Sequence, residues 1–191
     1  MGFTRAELES FVGATVPDLV GGSPDPPLRL LFVGINPGLW TAATQTHFAH
    51  PGNRFYPALF KAGITPYEID RGRGMTDDDR RALIGRGIGI SNVAHRATAK
   101  ASELSNDELR EGGEQLRALV RERQPAVVAV AGITAYRTAF RAPKAQMGEQ
   151  DQLFEGSRLW LVPNPSGLNA HETVDSLAVA YRAAAEAAGV T

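Results

Sequence analysis

Cysteine is absent from the 191-residue chain. That removes disulfides, thiolate metal sites, iron–sulfur clusters and cysteine nucleophiles, and gives no reason to look beyond the cytoplasm. Long hydrophobic runs are missing too. No stretch approaches the ~18 apolar residues of a membrane span, and Arg5, Glu7 and Glu9 interrupt the apolar residues at the start, so neither an anchor nor a signal peptide is expected. Charge of one sign is also lacking: 20 Lys+Arg against 21 Asp+Glu leave a net charge of -1. This weighs against a protein that coats nucleic acid, while leaving room for a local basic face. Aromatic residues make up only 7%, whereas 20 glycines and 12 prolines point to many sharp connections. With 43% hydrophobic residues, the chain reads as one soluble globular domain with a substantial core.

The pattern along the chain alternates. An amphipathic stretch from Phe3 to Val12 and a Pro- and Gly-rich segment from Pro17 to Pro27 read as an appendage and linker, 1–27, before the domain proper, 28–191. Leu28 to Val33 is an apolar run that suits a strand buried on both faces, and Ile88 to Ser91, Ala126 to Ala131 and Leu159 to Val162 look alike. Between them lie helical patterns over Arg54 to Ala62, Thr76 to Gly85, Ile133 to Phe140 and Glu172 to Ala188. The clearest helix opens with the capping-box sequence Ser105-Asn106-Asp107-Glu108 and ends at Gln124-Pro125. Strands alternating with helices predict an α/β sheet covered on both faces, with ligands beyond the carboxyl ends of the strands.

Two loops at such ends stand out. Gly34-Ile35-Asn36-Pro37-Gly38-Leu39 follows the first strand, and Pro163-Asn164-Pro165-Ser166-Gly167-Leu168-Asn169 follows the last. Each reads either as a plain turn or as one jaw of a cleft. From Gly34 to Tyr56 there is no Asp or Glu, so chemistry there lacks a carboxylate base, and Asn92 lies near the exit of another strand. Other motifs fail. Gly85, Gly87 and Gly89 precede a strand instead of following one, and there is no phosphate-binding Gly-Lys-Ser/Thr. His47 and His50, with Pro51 following, lack zinc spacing, and no Gly-x-Ser-x-Gly elbow occurs.

The stretch Gly34 to Leu39, followed by His47-Phe48-Ala49-His50-Pro51-Gly52-Asn53-Arg54-Phe55, resembles the first motif of the mismatch-specific uracil and thymine DNA glycosylases. Asn164-Pro165-Ser166-Gly167-Leu168-Asn169 resembles that family's intercalating motif, and the segments around Asn92 and Arg110-Glu111-Gly112-Gly113 fall in the expected order. The resemblance covers about Leu28 to Tyr181. It implies a single three-layer α/β/α domain with a mostly parallel central sheet, and a monofunctional enzyme that flips uracil out of mismatched duplex DNA and hydrolyses its N-glycosidic bond, leaving an abasic site. Asn36 matches the residue that orients the attacking water. Gly34, Ile35, Thr41, His47, Phe48 and Asn92 match the base pocket, with Phe48 stacking on the flipped base. Gly167, Leu168 and Asn169 match the wedge and the contacts to the widowed base. Arg54 and Ser166, with Lys61 and Lys100 as further choices, are expected on the DNA backbone.

The implied chemistry suits these residues. Uracil leaves tolerably well as an anion, so the sugar can develop oxocarbenium character while an amide places water. Without a lysine in the first motif no Schiff base, and hence no strand cleavage, is expected. Thr41 stands where the thymine enzymes carry a smaller Ala, which predicts uracil ahead of thymine. Asn92 is as in the animal thymine enzymes, where bacterial relatives often carry Lys. Ala170 replaces an Arg of some members, which relaxes the expected strictness toward the opposite base. The expected partner is double-stranded DNA with G·U or related mispairs, and the expected state is a cytoplasmic monomer, nucleoid-associated in a bacterium, without cofactor or metal. Two other classes stay open: a non-catalytic reader of damaged or single-stranded DNA, and a small-molecule nucleoside hydrolase, which has no use for a Leu168 wedge.

Overall fold

The computed structural model describes residues 2–191. Its core is a five-stranded sheet in the order β2-β1-β3-β5-β4, formed by β1 (Leu30–Gly34), β2 (Ile88–Asn92), β3 (Val127–Ala131), β4 (Gly148–Glu149) and β5 (Arg158–Val162). The first, second, third and fifth strands run parallel, and the two-residue β4 pairs antiparallel at one edge. The mostly parallel sheet expected from the alternating pattern is therefore present.

Alternation along each strand divides the core into two layers. Leu30 and Phe32, with Val127 and Ala129, face one side with α3 (Phe55–Lys61) and α7 (Val174–Ala188). Leu31 and Val33, with Val128, Val130, Leu159 and Leu161, face α5 (Asn106–Arg123) and α6 (Ile133–Ala139) on the other. Completing the helices are α1 (Arg5–Glu9), α2 (Leu39–Thr44) and α4 (Asp77–Gly85). No described helix is long and apolar enough to cross a membrane.

The capping box at Ser105 forms as read. Ser105 Oγ accepts from Glu108 N at 3.1 Å and Glu108 returns the bond to Ser105 N at 2.9 Å. The helix stops where Gln124 turns left-handed, immediately before Pro125. In contrast, α2 carries no readable signal: its N-cap is Gly38, with no side-chain capping bond, and its six residues are too few for a periodic stripe.

The start of the segment read as a linker is packed. Leu19 and Ile90 exchange backbone bonds of 2.8 Å each way, and Thr15 bridges Arg96, so residues 15–19 run antiparallel along the outer edge of β2. They cover ladder groups that an edge strand would otherwise leave open. Behind β2, an ideal Cβ on Gly112 of α5 would lie 2.0 Å from the Val93 carbonyl oxygen. Glycine is what lets the helix press on the strand's exit.

Gly112→Ala is expected to destabilise the fold by about 1–3 kcal/mol, because its obstacle is backbone that cannot rotate away. Chemical denaturation should show a lower midpoint with an unchanged slope.

Candidate active site

The strands β1, β2, β3 and β5 all end at one rim, and the sheet order changes direction between β1 and β3, where open α/β sheets form clefts. The β1–β2 pairing continues past both strands: Val93 N donates to Gly34 O at 2.9 Å and Ala94 N to Ile35 O at 2.8 Å. Gly34 thus lies opposite Asn92 in register. An ideal Cβ on Gly34 would stand 2.5 Å from Asn92 Oδ1 and 3.1 Å from Phe48 Cζ. The slot over Gly34 is filled by an amide oxygen and an aromatic ring, an approach that only glycine admits.

Phe48 is half-buried and stacks on Phe55, with ring centroids 4.1 Å apart and planes at 25°. Its backbone φ is +56°, a left-handed conformation that costs a non-glycine residue roughly 1–2 kcal/mol and is typical of strained functional loops. Thr41 is buried, and its hydroxyl accepts from Ala49 N at 3.4 Å, pinning the residue after Phe48. The Ile35 side chain points to Gly132 at the end of β3, so from Ile35 the cleft receives backbone.

His47 is only 3% exposed. Burial pushes its pKa below the ordinary 6.5, opposed by the Pro17 carbonyl and Asp18 and assisted by Arg80 and His95, so the ring is neutral near pH 7. Its Nε2 lies 2.9 Å from Pro17 O and its Nδ1 3.0 Å from Asn92 Nδ2. The Tyr56 hydroxyl donates to the His47 carbonyl at 2.7 Å, and burial pushes the Tyr56 pKa well above its usual value.

Asn36 is half-buried beside this slot. Its Nδ2 donates to Arg96 O at 2.9 Å and Thr98 Oγ1 at 2.8 Å, with Pro37 O at 3.1 Å. A carbonyl cannot donate, so these partners fix which end of the amide is nitrogen. Thr98 passes its own proton to Lys100 O at 2.8 Å. Asn36 Oδ1 has no partner among the described residues and is left as a free acceptor. The Arg96 side chain is held by Glu108 on α5 at 2.6 Å, a bond that with the Ser105 cap draws the Glu108 carboxyl down to about 2.

The second loop is built from its own polar atoms. Asn164 Oδ1 accepts from Ser166 N at 2.9 Å, Ser166 Oγ from Leu168 N at 3.3 Å, and Asn169 Nδ2 donates to Asn164 O at 3.1 Å. Leu168 stands at the tip, 93% exposed. An ideal Cβ on Gly167 would lie 2.6 Å from Gly52 O, so the two loops touch.

Arg54, expected from sequence on the DNA backbone, bonds within the protein to the second loop. Its Nη2 donates to Ser166 O at 2.6 Å and Asn169 O at 2.7 Å, its Nη1 to Glu172 O, and its backbone N to Pro165 O at 2.9 Å. A guanidinium that donates to two carbonyls of the second loop and to Glu172 just after it braces that loop. Lys61, likewise considered for phosphate, pairs with Asp175. Ser166 serves the turn, and Lys100 lies on the rim next to the atoms that hold Asn36.

The structure thus gathers Gly34, His47, Phe48 and Asn92 around one slot, sets Asn36 beside it, and ties the 166–169 loop to them through Gly52 and Arg54. Missed in the sequence were Pro17, Arg96 and Thr98. They act through backbone or a common hydroxyl, which no residue pattern signals. No three His, Asp or Glu side chains converge to hold a metal ion among the described residues. The family model described as Uracil DNA glycosylase superfamily matches residues 22–186.

A buried neutral His47 has a consequence for stability. Since its folded pKa lies below 6.5, the unfolded chain takes up the proton first as pH falls. The stability tied to the neutral ring is complete above about that value and is lost as pH drops through the folded one. Thermal unfolding of the wild type is expected to show a declining Tm below pH 6.5, with a shallower decline in His47→Gln. Equal slopes in the two proteins would count against a buried neutral ring.

Proposed function

Because the chain belongs to the uracil DNA glycosylase superfamily, we propose that it is a monofunctional glycosylase acting on uracil in mismatched duplex DNA. On this reading residues 28–191 form the catalytic domain, the protein works as a cytoplasmic monomer, and G·U is its preferred pair. The observation that carries the proposal is the pair of oriented amides: Asn36 with its nitrogen committed and its oxygen free, and Asn92, held by His47, close over Gly34 beside Phe48.

The chemistry follows from what each group can do. The flipped base enters beside Phe48, stacks against its ring, and presents its ring N–H to Asn92 Oδ1. Water donates a hydrogen bond to Asn36 Oδ1, which holds one lone pair toward the anomeric carbon as the bond to the base lengthens. The base leaves as an anion, and no carboxylate of the Gly34 to Tyr56 segment assists, so turnover is slow. Flipping costs a few kcal/mol, least where the pair is already mismatched, which favours G·U over A·U. Leu168 fills the vacated stack as an apolar wedge. The buried Thr41 under the loop leaves less room for a 5-methyl group and favours uracil over thymine.

The test is single-turnover release of uracil from a duplex with one G·U pair. Asn36→Ala is expected to lose about 100-fold or more in rate while retaining DNA binding. If neither protein releases uracil and both bind mismatched DNA, the reader interpretation replaces this one. Leu168→Ala should slow excision from duplex DNA and spare single-stranded substrate. Equal slowing on both would remove the wedge from the mechanism.

A further inference from the structure

Both amides are held, directly or at one remove, by a segment that precedes the matched region 22–186. Gly13 N donates to Ala97 O at 2.9 Å and Ala97 N to Ala14 O at 2.8 Å, which fixes the strand bearing Arg96 and Thr98, the partners of Asn36. Val16 is buried with Ala42 and Ala97 in a small separate cluster. Leu19 is paired both ways with Ile90. Pro17 lies between these anchors with its carbonyl 2.9 Å from His47 Nε2.

We propose that residues 13–19 are a positioning element of the active site, whose Pro17 carbonyl fixes the His47 tautomer and through it the Asn92 amide, so that the site accepts bases carrying a ring N–H and rejects cytosine. The argument is one of valence. A carbonyl can only accept, so the single proton of a neutral imidazole sits on Nε2. Nδ1 is then a lone pair and demands a donor, which at 3.0 Å is Asn92 Nδ2. Flipping the amide would set Asn92 Oδ1 against that lone pair. The oxygen is thereby turned toward Gly34 and the Phe48 ring, 2.5 Å from the ideal Cβ position of that glycine. Uracil offers N3–H to this acceptor. Cytosine, of nearly the same shape, offers a lone pair at N3, so two acceptors are forced together with neither satisfied. His47 and the strap are positioning groups in this scheme, with Asn92 in contact with the base.

The effect on substrate choice rests on the glycosylase reading, whereas the tautomer does not, and the experiment separates them. In the full-length wild type, nitrogen-15 NMR of the His47 ring at neutral pH is expected to show the Nε2–H tautomer, with Overhauser contacts from that proton to residues 16–18. A proton on Nδ1, a protonated ring, or an Nε2–H without those contacts overturns the proposal whatever the activity. Single-turnover release of uracil and of cytosine from matched duplexes is then compared. His47→Leu, which leaves the Asn92 amide free to rotate, is expected to reduce the uracil-to-cytosine rate ratio about tenfold or more. His47→Gln can donate to Pro17 and accept from Asn92, and should recover most of that ratio. An unchanged ratio in a folded His47→Leu protein overturns the proposal. A wild type that releases no base refutes the glycosylase reading alone, and the ring NMR still decides the relay.

Discussion

The parallel pairing of β1 with β2 is the constraint on which the candidate site depends. Its ladder runs two bonds beyond the strands, from Val93 N to Gly34 O and from Ala94 N to Ile35 O, and so brings two separately coded loops into one register. Gly34 must face Asn92 because the ladder leaves no other choice, since a one-residue slip would exchange the faces of every strand residue. The two layers of core lock that register from both sides. Gly112 then presses α5 against the Val93 carbonyl, so the exit of β2 is gripped by the ladder in front and by a helix behind.

Onto this frame the chain places amides where many hydrolases place carboxylates. An amide has a donor end and an acceptor end of nearly equal size, and its usefulness depends on which end points where. Here the surroundings remove the ambiguity. Asn36 is oriented by Arg96 O and Thr98 Oγ1, and Asn92 by His47. Each nitrogen is committed to the protein, which leaves the Asn36 oxygen without a partner among the described residues and sets the Asn92 oxygen over Gly34 beside Phe48. Under the proposed function such an arrangement would place a nucleophile and read a base edge without a strong base, at the cost of buried polar geometry that must be fully paired.

The wedge loop follows a different logic. An apolar residue that is 93% exposed gains nothing from burial, so the loop under it depends heavily on polar contacts. Asn164, Ser166 and Asn169 bond the loop to itself, and Arg54 donates to two of its carbonyls and to Glu172 just after it. Because Arg54 belongs to the same stretch as Phe48, the segment around Phe48 and the 166–169 loop are mechanically joined. Under the proposed function that link would couple filling the stack to seating the base.

Much of this was legible in the sequence. The strands and the capped helix at Ser105 were, because they depend on apolar runs and on capping spacings three residues apart. The two loops after buried strands, with Asn36 and Leu168 in them, were legible for the same reason, and Phe48 was marked by a family motif that spans a short window. Only the tertiary structure decided the rest. Asn36 meets Thr98 across 62 residues, His47 meets Pro17 across 30, and Arg54 meets Ser166 across 112. The sequence marked Arg54 as a cation at a DNA face, while folding surrounded it with carbonyls. It also marked residues 17–27 as linker by their Pro and Gly, although the edge of β2 recruits the start of that segment. Local spacing encodes which groups are present and which helices and strands they sit on. The partner of each polar atom depends on the packing of distant segments, and it is the partner that determines whether an amide offers its oxygen or its nitrogen.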